Sequence, residues 1–154
     1  MTSSSFDLMD YVLRPATAVD REWLWQTKRT CLRPYVEQTW GVWDEDAQRT
    51  NFDDSFEPSE VHIITVGDRD AGYIAARNDP FEIRLFNIMI APEFQNHGLG
   101  TAVLRQLQEV AHRLLVPVRL RVLRVNPARH LYERLGFKVI EDTATHYRME
   151  WLPA

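Results

Sequence analysis

The chain of 154 residues has a single cysteine, Cys31, so it cannot form an internal disulfide. Structural disulfides belong to oxidising compartments, and we therefore expect a reduced, cytoplasmic setting. The five histidines show no ligand spacing with one another or with the cysteine, which predicts no metal centre.

Long apolar runs are also missing. No stretch approaches the roughly 20 residues of a membrane span, and no basic-then-apolar signal opens the chain. Lysine is rare, with only Lys28 and Lys138, and the arginines are spread rather than clustered. The formal net charge is -4, so neither a membrane surface nor a nucleic acid is expected as a partner.

The composition is that of a globular protein. Hydrophobic residues make up 45% and charged residues 26%, which suffices for a sizeable core and an ordinary polar surface. The length fits one domain over residues 1–154. The small polar residues at the start predict a flexible segment over residues 1–8.

Periodicity predicts the order strand, two helices, three strands, helix, strand, helix, two strands. The first helix is predicted over residues 18–32, with Pro34 ending or kinking it, and the second over 35–56, broken near Gly41. Tight turns between strands predict antiparallel pairs, and one strand–helix–strand crossover predicts a parallel pair. The predicted fold is α/β: a single mixed, mostly antiparallel sheet with helices on both faces.

The segment 95–101 reads Gln-Asn-His-Gly-Leu-Gly-Thr and lies between a predicted strand and a predicted helix. Glycines allow a tight bend that exposes successive N–H groups, and the positive end of the helix dipole adds to their attraction for anions. A pyrophosphate suits such a turn. The segment lacks the Gly-Lys-Ser/Thr ending of a P-loop, and Val103 replaces the third glycine of a dinucleotide fingerprint.

This segment resembles the Gln/Arg-x-x-Gly-x-Gly/Ala motif of the GNAT superfamily of N-acetyltransferases, with Gln95, Gly98 and Gly100 in register. The preceding residues 88–94 are similar to the end of the family's fourth strand. The later segment 126–137 is similar to its next helix and following Gly-Phe. The resemblance covers about residues 74–140.

The resemblance implies acetyl-CoA as co-substrate, with its pyrophosphate on the loop amides and its pantetheine arm along the fourth strand. An amide near Met89 or Ile90 would polarise the thioester carbonyl. Asn126 would contact the pantetheine, and it is also a plain candidate for a helix N-cap. The residues implied for cofactor binding are Ile88, Met89, Ile90, Gln95, Asn96, His97, Gly98, Leu99, Gly100, Thr101 and Asn126.

Two residues are the candidates for catalysis. Tyr132 matches the family's usual general acid, which protonates the leaving thiolate; a tyrosine holds its proton at neutral pH. The alternative is that Tyr132 is only an aromatic residue packed on the inner face of a helix.

Glu82 is the first candidate for the base that deprotonates the amine. A solvated strand end, a water relay and proton release to bulk solvent remain alternatives. The carboxylate that some relatives carry on strand five is replaced here by Arg119 and Arg121.

The family's acceptor cleft lies between its first two helices and its last hairpin, here residues 35–45 with 146 and 147 opposite. Carboxylates beside aromatic rings suit a cation, so Glu37, Trp40 and Trp43 are predicted to bind an amine, on a small molecule or a peptide. A solvated helix face with inward tryptophans is the alternative. Relatives imply a homodimer. Two other functions stay open: a CoA-sensing module without catalysis, and an acyltransferase for longer acyl-CoA.

Overall fold

The computed structural model describes residues 10–154, so the predicted flexibility of residues 1–8 lies outside the described residues. Its sheet strands are β1 (Val12–Pro15), β2 (Val61–Val66), β3 (Arg69–Asn78), β4 (Ile83–Ile90), β5 (Val118–Leu123), β6 (Lys138–Asp142) and β7 (His146–Trp151). The α-helices are α1 (Arg21–Trp40), α2 (Glu45–Ser55), α3 (Leu99–Leu114) and α4 (Ala128–Arg134). Short 3₁₀ turns occupy Ala18–Asp20, Pro58–Glu60 and Pro92–Phe94.

The seven strands form one sheet in the order β1-β2-β3-β4-β5-β7-β6. All neighbours are antiparallel except β4 and β5, which pair in parallel and are joined by the crossover through α3. The predicted mixed, mostly antiparallel sheet is therefore confirmed. No helix in residues 10–154 is long and apolar enough to cross a membrane.

Two hydrophobic clusters cover the two faces of the sheet, which confirms the prediction of helices on both. The alternation of a strand sends Ile64 into a cluster with Leu99, Val103 and Leu104 of α3, and its neighbour Ile63 into the other. On that second face, Leu24 and Trp25 of α1 pack with Phe52 of α2. The first cluster fixes the start of α3, and the second holds α1 over β4.

The first helix differs from the prediction. Helix α1 begins at Arg21, after a 3₁₀ turn, and continues through Pro34 to Trp40. A proline inside a helix removes one backbone hydrogen bond. Burial of Leu24, Trp25 and Val36 on both sides of the proline offsets this loss. The helix ends at Gly41, whose φ of 83° is left-handed, so the predicted break near Gly41 is observed.

The central feature for function is the separation of β4 from β5. Their pairing runs only from Ile83↔Val118 to Leu85↔Leu120, after which the strands diverge. Near the same point, Ala75 pairs with Asn87 but Ala76 pairs with Leu85, so β4 carries an extra, unpaired residue there. The edge of β4 over residues 86–90 is thus left without a strand partner on the β5 side.

Gly72 on β3 fixes how closely β3 approaches this part of β4. A Cβ on Gly72 would lie 2.2 Å from the carbonyl oxygen of Met89, well inside contact distance. Only glycine permits this approach. The position of Met89 on β4 therefore depends on a residue of the neighbouring strand.

Candidate active site

A cavity of about 480 Å³ begins at the turn before α3 and runs along the free edge of β4; we call it the cofactor cavity. Its walls come from α1, β4, the turn, α3 and α4. It is lined by Cys31, Leu32, Tyr35, Ile88, Met89, Ile90, Phe94, Gln95, Asn96, Gly98, Leu99, Gly100, Thr101, Asn126, Pro127, Ala128, Leu131, Tyr132 and Arg134.

The turn has the backbone shape that the glycines predict. Asn96 and Gly98 have φ values of 67° and 78°, so the chain reverses through two left-handed residues before α3 begins. Gly98 is the N-cap and no side chain caps α3, which leaves its first N–H groups without a helical partner. Gln95 stays close to β4 because its Nε2 donates to the carbonyl oxygen of Ile90 at 2.9 Å.

An anion at this turn would meet the N-terminal end of a 16-residue helix. Gly100 presents no side chain toward the cavity, so a ligand can reach the backbone directly. Arg134 of α4 also lines this cavity and adds a cation. Arg134 is not among the predicted cofactor residues, although it lies in the segment 126–137 that resembles the family. These donors fit a phosphate-bearing ligand.

Tyr132 lies at the inner end of the cofactor cavity. Its side chain is buried, and its ring packs against Phe137 at 5.7 Å between centroids. Burial raises the pKa of the Tyr132 phenol to about 12, which keeps it protonated throughout the neutral range. Tyr132 therefore packs in the core, and it also lines the cofactor cavity.

A second cavity, of about 320 Å³, lies on the other side of the gap between β4 and β5; we call it the acceptor cavity. The two cavities adjoin, and Tyr132 is part of the wall of both. The residues that line both cavities are Leu32, Ile88, Met89, Asn126, Ala128 and Tyr132. The lining residues of the acceptor cavity are Lys28, Leu32, Val36, Trp40, Gln48, Phe86, Asn87, Ile88, Met89, Arg121, Val122, Leu123, Asn126, Ala128, Tyr132 and His146.

The predicted cofactor residues are brought together with one exception. Ten of them line the cofactor cavity, whereas His97 lies in the same turn but is not among the lining residues. Asn126 is the predicted helix N-cap, but α4 begins at Ala128 and its N-cap is Pro127. The Oδ1 of Asn126 still caps the start of α4 by accepting from the Ala128 N–H at 2.9 Å. Asn126 also lines both cavities, so the cap leaves it beside the site.

Glu82 is not brought to Tyr132. It precedes β4 at the end opposite to the cavities, and its Oε1 accepts from Arg119 Nη1 at 3.1 Å. Arg119 is held on its other side by Glu150, at 2.8 Å from Nε to Oε2. The carboxylate of Glu82 is therefore part of an ion-pair group on β4, β5 and β7, and it lines neither cavity.

Of the three predicted acceptor residues, only Trp40 lines the acceptor cavity. Its ring faces His146 at 6.2 Å, as expected for a cleft between α1 and the last hairpin. Trp43 is buried against Trp25 and donates from Nε1 to Glu45. Glu37 is exposed and accepts from Arg33 at 3.4 Å. Neither of them borders the cavity.

Taken together, a sheet opened between β4 and β5, a helix start with free N–H groups and a buried phenol would suit a phosphate-bearing acyl donor. Comparisons with known proteins agree. Residues 57–139 match the family model described as an acetyltransferase (GNAT) domain. This match covers more than half of the chain, and the chain belongs to the GNAT acetyltransferase family. Acetyltransferases of this family use acetyl-CoA as co-substrate.

A curated relative from Salmonella typhimurium, the [ribosomal protein bS18]-alanine N-acetyltransferase, is 40% identical over 86 residues. That alignment covers 54% of this chain and 58% of the relative, so it spans little more than half of the relative's length.

Solved structures share the fold at low sequence identity. The PaiA N-acetyltransferase of Thermoplasma acidophilum, in complex with coenzyme A, has a TM-score of 0.73 at 17% identity, covering 94% of this chain and 99% of that one. The ribosomal-protein-S18-alanine N-acetyltransferase of Escherichia coli has a TM-score of 0.67 at 21% identity, covering 94% and 95%. At these sequence identities, the structural similarity shows only that the fold is shared.

Proposed function

We propose that this chain is an acetyl-CoA-dependent N-acetyltransferase that passes the acetyl group directly to an amine while both substrates are bound. The observation that carries the proposal is the meeting of two cavities at Tyr132, one beginning at an anion-binding turn and the other open to a second molecule. An amine could then reach the thioester without the cofactor leaving.

The turn at residues 95–101 would hold the diphosphate through the free N–H groups of Leu99, Gly100 and Thr101, with Arg134 as an additional cation. The free edge of β4 would pair with the amides of the pantetheine arm. Of the two amides predicted for this role, that of Met89 is turned toward its partner Tyr73 on β3, so the N–H of Ile90 on the free edge would donate to the carbonyl oxygen as negative charge develops on it.

Tyr132 would act as the general acid. As the amine nitrogen bonds to the carbonyl carbon and the carbon–sulfur bond breaks, the phenol gives its proton to the leaving sulfur. The proton released by the amine restores the phenol through solvent. Burial raises the pKa of Tyr132 to about 12, so the phenol carries a proton to donate at every physiological pH.

The state of the Cys31 thiol favours direct acetyl transfer rather than transfer through an acetylated cysteine. The thiol lines the cofactor cavity, but it donates to the carbonyl oxygen of Ile90 at 3.4 Å, and burial raises its pKa. A thiol nucleophile needs a depressed pKa or an adjacent base. Neither is seen for Cys31 in the described part of the chain.

The amine must lose a proton before it attacks, and Glu82 is engaged by Arg119 away from the acceptor cavity. We therefore favour proton release to solvent through that cavity over a relay from Glu82. The acceptor itself is an amine on a small molecule or a peptide. The curated relative is named for acting on an alanine of a ribosomal protein, which favours an α-amine.

The test is to incubate the purified protein with acetyl-CoA and a panel of amines. Free thiol and the mass of the acetylated product are both measured. Acetyl transfer that requires the amine and leaves no acetyl group on the protein supports the proposal. Thermal stabilisation by CoA without any thiol release would instead indicate a sensing module, and preferential competition by octanoyl-CoA would indicate a longer acyl donor.

A further inference from the structure

The charged residues that line the acceptor cavity are all cationic. Two of its lining residues, Lys28 on α1 and Arg121 on β5, are cationic, and none of the residues that line it is Asp or Glu. The carboxylate nearest to Trp40 in sequence, Glu37, is turned away and paired with Arg33. A simple diamine or other polycation would meet unfavourable charge here.

Lys28 is an unusual lysine. Its side chain is partly buried, with Nζ 5.8 Å from the ring centre of Phe52, and desolvation lowers its pKa. No carboxylate forms an ion pair with it within residues 10–154. Lysines are rarely buried without a partner, because removing an ammonium from water is costly. A ligand anion beside Lys28 would compensate this cost.

Arg121 contrasts with the other arginine on the same face of β5. Arg119 stands opposite Glu150 on β7 and forms an ion pair with it. Arg121 stands opposite Arg148, a like charge, and Arg148 pairs instead with Glu141. Like charges directly opposite in a sheet are destabilising. Among the described residues Arg121 has no ion-pair partner. It lines the acceptor cavity, and it also lines a neighbouring cavity bordered by Glu82, Arg119 and Arg148.

We propose that the acceptor carries a carboxylate near its amine, held between Lys28 and Arg121 while the amine points toward Tyr132. The proposal rests on the proposed function and specifies its substrate class. The carboxylate can belong to a free amino acid or to an acidic side chain that follows the amino-terminal residue of a peptide. The volume of about 320 Å³ accommodates either.

The experiment compares four acceptors that share an alanine α-amine: alanine, alaninamide, Ala-Glu-amide and Ala-Arg-amide. Transfer from acetyl-CoA is measured as kcat/KM for each. We expect at least one carboxylate-bearing acceptor to exceed both alaninamide and Ala-Arg-amide by about tenfold or more, the gain typical of a charge-assisted contact. Alanine and Ala-Glu-amide distinguish the two sources of the carboxylate. Equal values, or preference for Ala-Arg-amide, would overturn the proposal.

Two variants test whether Arg121 and Lys28 cause the preference for a carboxylate-bearing acceptor. Arg121→Gln and Lys28→Met should each raise KM for the preferred acceptor about tenfold and leave KM for alaninamide within about twofold. Methionine loses the contact of the Lys28 ammonium with the Phe52 ring but can still pack on that ring, so we expect the fold to be retained. Arg105→Gln is the matched control, since this exposed arginine on α3 lines neither cavity. A uniform loss with all acceptors would contradict the assignment.

Failure of the proposed function can be told apart from failure of this inference. If no amine is acetylated, the CoA-bound protein is titrated calorimetrically with N-acetylalanine, N-acetylalaninamide and the N-acetylated forms of Ala-Glu-amide and Ala-Arg-amide. Tighter binding of a carboxylate-bearing ligand, lost in Arg121→Gln, would support the anion site even though transfer is absent. Equal or no binding of all four would overturn it. If amines are acetylated without regard to the carboxylate, only the inference is wrong.

Discussion

Replacing Tyr132 with phenylalanine removes one hydroxyl group at the point where the two cavities meet. The ring is buried against Phe137, and phenylalanine preserves this contact. We therefore expect a change in the free energy of unfolding of under about 1 kcal/mol at neutral pH. Any large loss of activity must then come from the missing proton donor.

The magnitude follows from the chemistry of the leaving group. General acids contribute roughly 10²–10⁴-fold. A thiolate with an ordinary pKa of about 8.5 leaves more readily than an alkoxide, so the lower end applies. We expect kcat to fall about 100-fold, or about 2.7 kcal/mol in the activation barrier. The KM for acetyl-CoA and the affinity for CoA should change less than about twofold, because the diphosphate site is untouched.

The assay is steady-state release of free thiol, together with calorimetric titration of CoA. Tyr11→Phe is the matched control, since the Tyr11 hydroxyl contacts Gln106 and the carbonyl oxygen of Ala102 and lines neither cavity. The control should keep the parent kcat. Equal turnover by Tyr132→Phe and the parent protein would remove the phenol from the mechanism.

Three further predictions concern the turn, the base and the pH dependence of stability. Gly98→Ala places a Cβ on a residue of the turn with φ 78° and should weaken CoA binding about tenfold in calorimetry. Gly41→Ala is the control, because Gly41 has φ 83° and lies outside both cavities. This control should lower the free energy of unfolding by about 1–2 kcal/mol and leave CoA affinity unchanged. Glu82→Gln should keep kcat within about threefold, because the Glu82 carboxylate is hydrogen-bonded to Arg119 and lies outside the acceptor cavity. A roughly 100-fold loss of kcat would instead identify Glu82 as the base. Hydrogen bonds from Arg14 and Thr17 lower the pKa of Asp20 in the folded state, so its contribution to stability is present above about pH 4 and disappears as pH falls through the lowered pKa. In urea titrations, Asp20→Asn should therefore lose about 1–3 kcal/mol at pH 7 and much less near pH 2.

The sequence was most informative where function depends on the local backbone. Residues 95–101 predicted the turn and the start of α3, because glycines and a following amphipathic helix act within a few residues of one another. The motif singled out Tyr132, which lines both cavities. By contrast, the opening between β4 and β5 has no local signal, since it depends on which residues of two distant segments stop pairing.

The acceptor side was harder to predict because the prediction misplaced the end of α1. The helix runs through Pro34, so Lys28, Leu32, Val36 and Trp40 recur at a spacing of four and all line the acceptor cavity. Glu37 follows Val36 and points outward, away from the site. A search for that four-residue stripe would have found Lys28. Arg121 comes from β5, and no pattern in the sequence joins it to α1.

The central claim is that free amides at the start of α3 hold a diphosphate and so direct an acyl thioester toward Tyr132. A crystal structure with bound acetyl-CoA tests it most directly. Diphosphate oxygens should lie within about 3 Å of the N–H groups of Leu99, Gly100 or Thr101, with the thioester between Met89 and the phenol. A cofactor bound elsewhere, or a thioester turned away from Tyr132, would contradict the account.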